Sequence, residues 1–191
     1  MTGGNNGVKM IKVSDDIILK QIESSDTSDI YETIDAQRDY LGQWLPFIHY
    51  TLDIEDSEHV VITMINVTNL VKEHSFVIKY KGKFAGLIGF RNFDKTNKKI
   101  DLGYWLSKNF QKKGIVFNSV LALMEYAFED LLVNKICIRC PVGNDQSCNI
   151  PKRIGYFLEG IERAGELLPD NSYIDLEVYG MLKSDYYQFK Y

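Results

Sequence analysis

The chain has no apolar run near the roughly 20 residues that span a bilayer, and its N-terminus, MTGGNNGVKMIKV, lacks the apolar core of a signal peptide. Neither membrane insertion nor export is expected. Cysteine is scarce: three, an odd number, in 191 residues do not make a secreted disulfide framework. A reducing, cytoplasmic location fits both absences. Excess positive charge is missing as well, with 22 Lys and Arg against 26 Asp and Glu and a formal net charge of −4. Nothing drives the molecule globally toward nucleic acid, a cationic partner is slightly favoured, and any anion must be held locally. No linker rich in Pro, Gly or Ser divides the chain, and no internal repeat is visible. A single domain over 15–191 is expected. Residues 1–14 read as a flexible leader, because TGGNNG has nothing to bury.

Common cofactor and metal signatures are also absent. No G-x-G-x-x-G follows a strand and no G-x-x-x-x-G-K-[ST] occurs, which leaves dinucleotide-binding and triphosphatase readings unsupported. His49, His59 and His74 lie in different segments without H-E-x-x-H spacing, so they read as surface or structural residues, with His49, after WLPFI, the one to watch. Cys137 and Cys140 have C-x-x-C spacing inside a β run. Residues three apart in a strand point to opposite faces, so strand-face cysteines are expected and no metal is implied.

What is present is 45% apolar and 25% charged, an ordinary globular balance. DDIILKQI (15–22) reads as a strand. SSDTSDIYETIDAQRDYLGQWL reads as one helix, or two broken near Gly42, ended by WLPF. Val60, Val61, Met64, Ile65, Thr68 and Val71 share one face of a second helix, with Asp56 or Ser57 as its cap. The period then changes from 3.6 to 2. HSFVIKY, KFAGLIGFR and KKIDLGYWL read as an antiparallel meander, with Ile100, Leu102, Tyr104 and Leu106 on one face and Asp101, Gly103 and Trp105 on the other. A helix follows, with Phe117, Val120, Leu121, Met124, Phe128 and Leu131 at helical spacing. Then come the strand KICIRC, a short helix ending at Gly155, and the strands YFLEGIER and YIDLEVYGMLK. This order predicts an α+β fold: a mixed, mostly antiparallel sheet with a central parallel pair and helices on both faces.

Two features carry chemistry. Gln111, Lys112, Lys113, Gly114, Ile115 and Val116 form a turn between a strand and a helix. A helix N-terminus offers unpaired N–H groups to an anion, Gly114 lets the backbone approach, and the lysines add point charges. By local features alone a glycine-containing turn before a helix is usually just a turn. The aromatic cluster of WLPF with Tyr40 and Tyr50, beside Asp39 and Asp53, is either a helix corner or the wall of a pocket that favours cations.

QKKGIV in that position resembles motif A of the GNAT N-acetyltransferase superfamily, [QR]-x-x-G-x-[GA]. NDQSCNIPKRIGYFLEG (144–160) resembles the N-x-x-S…GF-x-x-EG segment of the RimJ/RimL group, the ribosomal-protein N-terminal acetyltransferases and their relatives. YLGQWLPF, DLGYWLSKNFQKKGI and YIDLEVYGMLKSDY are similar to that group too, over roughly residues 15–186. The resemblance implies a GNAT fold and acetyl-CoA as cosubstrate, with no metal. Gln111 to Val116 would hold the pyrophosphate, Trp105, Leu106 and Ser107 would pair with the pantetheine arm, and Asn144 and Ser147 would sit near the thioester. Glu166 falls where the group has a carboxylate proposed to act on the amine; as a bare residue it reads equally well as a solvated loop carboxylate.

The acceptor implied is an amine, foremost the N-terminal α-amine of a protein such as a ribosomal protein. A polyamine or aminoglycoside, and a non-catalytic acyl-CoA-binding or interaction module, are the alternatives, and a homodimer is left open. Val116 replaces a small residue of the motif, and Pro141 and Pro151 intrude near the second motif. Pro151 is harmless in a helix only where its missing N–H is not needed.

Overall fold

Period two in the middle of the chain builds the centre of one large sheet. The computed structural model describes residues 9–71 and 74–190. Its strands are β1 (Met10–Lys12), β2 (Ile17–Gln21), β3 (Ser75–Tyr80), β4 (Lys83–Asp94), β5 (Lys99–Leu106), β6 (Lys135–Pro141), β7 (Phe157–Leu167) and β8 (Tyr173–Leu182), in the spatial order β1-β2-β3-β4-β5-β6-β8-β7. β3, β4 and β5 are the expected meander. The β5–β6 ladder is parallel and the other ladders among the described residues are antiparallel. The helices are α1 (Thr27–Asp35), α2 (Arg38–Leu41), α3 (Ile54–Val71), α4 (Ile115–Glu125), α5 (Asp145–Ile154) and α6 (Lys183–Lys190). No helix among the described residues is long and apolar enough to cross a membrane.

Two cores lie on the two faces of the sheet. Ile100, Leu102, Tyr104 and Leu106 of β5 pack with α4 and α5, whereas Trp105 packs with Ile30, Ile34, Leu41 and Val61 from α1 to α3. The alternation of β5 therefore reads correctly, side chain by side chain.

Several boundaries differ from expectation. Met10–Lys12, inside the presumed leader, pairs antiparallel with Ile18–Lys20; residues 1–8 lie outside the described residues. The first helical stretch breaks at Gln37, whose φ of −138° leaves the helical region, and not at Gly42, which ends α2. α3 starts earlier than Asp56 or Ser57: Asp53 Oδ1 accepts the Asp56 N–H at 2.9 Å while Asp56 Oδ2 accepts the Leu52 N–H at 2.8 Å. Of its apolar face, the side chains of Thr68 and Val71 lie outside the described residues.

α4 and the turn after it bury Val120, Met124 and Phe128 of the expected stripe and depart from it at Leu121. Ile115, Val116, Ser119, Val120, Leu123 and Met124 are buried and Leu121 is 40% exposed. After Glu125 the backbone widens into a π-helical turn over Tyr126–Asp130.

Candidate active site

The parallel pair opens as it runs. β5 and β6 are paired only from Lys99–Lys135 to Asp101–Cys137, while β5 stays paired to β4 as far as Leu106. Beyond Asp101 the two strands part, and the β6-facing backbone of the last residues of β5 has no strand partner. A cavity of about 710 Å³ fills this opening, lined by Tyr104, Trp105 and Leu106, by Gln111–Phe117, by Asn144 and Ser147 of the α5 start, and by Tyr40 and Trp44 from the other side of the sheet.

At one end stands the N-terminus of α4. Gly114 has φ +70°, the left-handed conformation glycine adopts without strain, and Lys112 has φ +60°. Asn118 is the first residue to bond back, its N–H meeting the Gly114 carbonyl at 3.0 Å. The N–H groups of Ile115, Val116 and Phe117 have no intrahelical acceptor and carry the positive end of the helix dipole. Lys108, Lys112, Lys113 and Arg153 line the cavity against one carboxylate, Asp145. On a chain of net charge −4, this basic cluster at a helix N-terminus is where an anion would be held locally. Val116 is 8% exposed and packs into the α4 core, so its bulk turns away from the site while its N–H stays in the first turn.

Asn144 caps α5, its side-chain oxygen accepting the Ser147 N–H at 3.1 Å. Ser147 is held from two further sides: its hydroxyl donates to Cys140 Sγ at 3.4 Å and its carbonyl accepts from the Tyr104 phenol at 3.0 Å. Burial pushes the Tyr104 pKa well up, so the phenol remains a donor. Above the cavity, the Gln111 side-chain amide donates to Gln146 Oε1 at 2.7 Å and to the Tyr40 hydroxyl, linking the α4 loop to α5 and α2.

Outside the cavity lining, β7 makes its own side-chain contacts across the sheet. Here β7 reaches across β8 to β6: Lys135 pairs with Glu159 at 2.6 Å, and Arg139 pairs with Glu162 at 3.1 Å and with Asp101. Gly180 of β8 makes room, since a Cβ there would meet Glu159 Oε1 at 2.3 Å. A bulge then re-aims β7: Glu162 faces Leu176 and Glu166 faces Ile174, four residues against two, with Ala164 at φ +51° and its N–H on Asp175 Oδ1 at 2.8 Å. Glu166 is thus a half-buried strand residue, not a loop one. Burial raises its carboxyl pKa, against the opposing pull of Arg91, whose guanidinium lies over Gly103. Neither Arg91 nor Glu166 forms a salt bridge among the described residues.

The structure gathers Trp105, Leu106, Gln111, Lys112, Lys113, Gly114, Ile115, Val116, Asn144 and Ser147 around one cavity. Two expected residues stand apart. Ser107 is 2% exposed and its polar groups are engaged: its N–H donates to the Ala85 carbonyl at 2.8 Å and its hydroxyl accepts from the Gln37 amide at 2.9 Å. Glu166 is outside the cavity lining, on the sheet face beside it. Tyr104, Gln146 and Arg153 join the site only in the structure, because nothing in their local pattern distinguishes them from other residues of a strand face or a polar helix surface. The aromatic cluster divides: Tyr40 and Trp44 line the cavity, and Phe47 packs in the core. His49 bonds the Gly42 carbonyl at 3.3 Å and His59 the Glu55 carbonyl at 3.1 Å, both outside the cavity. Cys137 and Cys140 are buried and alternate across the sheet, Cys140 in the α4–α5 core and Cys137 opposite Asp101.

A mixed sheet whose parallel pair parts over a helix N-terminus, with a basic cavity between, is the architecture of an acyl-CoA-dependent N-acetyltransferase. The chain belongs to the GNAT family: the Acetyltransferase (GNAT) domain matches residues 16–156. It is 32% identical to YdaF of Bacillus subtilis (strain 168) over 177 residues, 92% of this chain and 96% of that one. It is 27% identical to the ribosomal-protein-serine acetyltransferase of Escherichia coli (strain K12), over 90% of this chain and 96% of that one. The structure of RimL, a ribosomal L7/L12 alpha-N-protein acetyltransferase, in complex with coenzyme A superposes with a TM-score of 0.87 at 25% identity, covering 93% and 99% of the two chains. The protein is an N-acetyltransferase, and acetyl-CoA is its cosubstrate.

Proposed function

We propose that this enzyme acetylates the N-terminal α-amine of a protein, of the ribosomal-protein class for which its relatives are named. The observation that supports the reading is Glu166: a single half-buried carboxylate on β7, raised in pKa and outside the cavity lining, which we take to face the incoming amine. At pH 7 an α-amine with pKa near 8 is roughly one-tenth neutral, whereas a lysine amine near 10.4 is about 0.04% neutral. One carboxylate, directly or through water, is enough base for the first.

In this mechanism the amine nitrogen attacks the thioester carbon, the N–C bond forms and the C–S bond breaks without a covalent enzyme intermediate. The amine's proton passes to Glu166. Coenzyme A departs as a thiolate of pKa near 8.5, which needs only a hydrogen bond or a relayed proton. Ser147 supplies it by turning its hydroxyl from Cys140 toward the cavity, and Asn144 contributes the amide N–H that capping leaves over. The N–H groups from Gly114 to Phe117, with Lys112, Lys113 and Arg153, hold the pyrophosphate, and Trp105 and Leu106 offer strand groups to the pantetheine arm.

The test is thiol release from acetyl-CoA with a panel of a serine-led peptide, spermidine and an aminoglycoside, followed by mass spectrometry. Acetyl on the peptide's α-amine is the expected product. Release with the small amines alone contradicts this acceptor, and binding of acetyl-CoA without release on any amine contradicts the mechanism.

A further inference from the structure

Pro151 is the seventh residue of α5, well inside the helix. A residue there would donate its N–H to the carbonyl four positions back, that of Ser147, and proline has no N–H to give. Its ring also crowds that carbonyl and tilts it outward. Yet the Ser147 carbonyl is not orphaned, because the Tyr104 phenol, from a strand 43 residues away in sequence, donates to it at 3.0 Å. Ser147 and Asn144, beside it in the first turn of α5, and Tyr104, on the parted end of β5, all line the cavity.

We infer that Tyr104 is a positioning residue: its phenol takes the place of the N–H that Pro151 lacks and ties the first turn of α5 to the opened end of β5, setting Asn144 and Ser147 against the thioester. The proline is the other half of this device. An ordinary residue at 151 would let the helix satisfy its own carbonyl, leaving the phenol a second donor rather than the only one. The Tyr104 ring packs in the α4–α5 core, so removal of its hydroxyl alone leaves that packing in place. The functional half of the inference rests on the roles proposed above for Asn144 and Ser147; the hydrogen-bond exchange stands without them.

The experiment compares wild type, Tyr104→Phe, Pro151→Ala and the double variant in thermal unfolding and in steady-state kinetics. Kinetics are read with whichever amine the wild-type enzyme acetylates fastest, so failure of the α-amine reading leaves the test intact. Tyr104→Phe leaves the carbonyl unserved and is expected to lower Tm by roughly 3 to 10 °C and kcat/KM about fivefold or more. In the double variant the N–H restored by Pro151→Ala closes the helix, so Tm is expected to return to within about 2 °C of wild type while kcat/KM stays low. Recovery of kcat/KM together with Tm would overturn the positioning role, and an unchanged Tm in Tyr104→Phe would overturn the hydrogen-bond exchange itself.

Discussion

The α4 end of the cleft and the β7 end are made of different material. At α4 the donors are backbone N–H groups, fixed by helix geometry and by one glycine at φ +70°, and the basic side chains Lys108, Lys112, Lys113 and Arg153 gather around them. Val116 illustrates it: a bulky residue stands where the motif has a small one, yet its side chain is in the core and its N–H is where the helix puts it. At β7 the proposed acid–base chemistry would rest on particular side chains, Glu166 with Arg91 nearby, aimed by a bulge and a glycine floor. A backbone-built site tolerates substitution; a side-chain-built site changes with single residues, and under the proposed function that end would choose the acceptor.

Substitutions that separate the two ends follow from this contrast. The largest effect is expected at the side-chain end: Glu166→Gln lowers kcat/KM about 100-fold, the low end for losing a proton-transfer group, and leaves the acetyl-CoA Kd within about twofold by calorimetry. The pH dependence has a defined sign. Because burial raises the Glu166 pKa above the ordinary glutamate value, the base form appears only at higher pH than for a solvated glutamate, and kcat/KM rises with pH through a midpoint above that ordinary value. Arg91→Ala removes the opposing pull and moves that midpoint further up. The same shift favours the protonated folded state: its contribution to stability is present below the unfolded carboxylate's pKa and is lost as pH rises through the folded value.

At the backbone end the expected effect is smaller. Gly114→Ala forces a Cβ into the left-handed region at about 1–2 kcal/mol, roughly tenfold in acetyl-CoA Kd, with kcat at saturating cosubstrate little changed. Smaller again is Gln37→Ala. Gln37 donates to Ser107 Oγ at 2.9 Å and accepts the Lys108 N–H at 2.8 Å, so its loss costs about 1–2 kcal/mol in urea unfolding.

The same contrast explains what could be read from the chain. The meander, the alternation of β5, the parallel pair and the helix ending at Gly155 rest on local patterns, and so does the QKKGIV turn, whose donors are its own backbone. Local pattern fails where a distant partner decides. Met10–Lys12 is a strand only because Ile18–Lys20 is beside it. The break at Gln37 coincides with its bonds to a loop 70 residues on, and no period anticipates the π turn that follows α4. Glu166 could be matched by resemblance, but its burial and its strand came from the β7 bulge, and the Tyr104–Ser147 bond from a fold that closes over Pro151.

The claim that the two ends are separable is tested most directly by one paired measurement: the acetyl-CoA Kd and the rate of thiol release at saturating acetyl-CoA, for Glu166→Gln and Gly114→Ala side by side. The account predicts opposite outcomes, with Glu166→Gln losing rate and keeping affinity and Gly114→Ala losing affinity and keeping rate. Parallel loss of both quantities in both variants would contradict it.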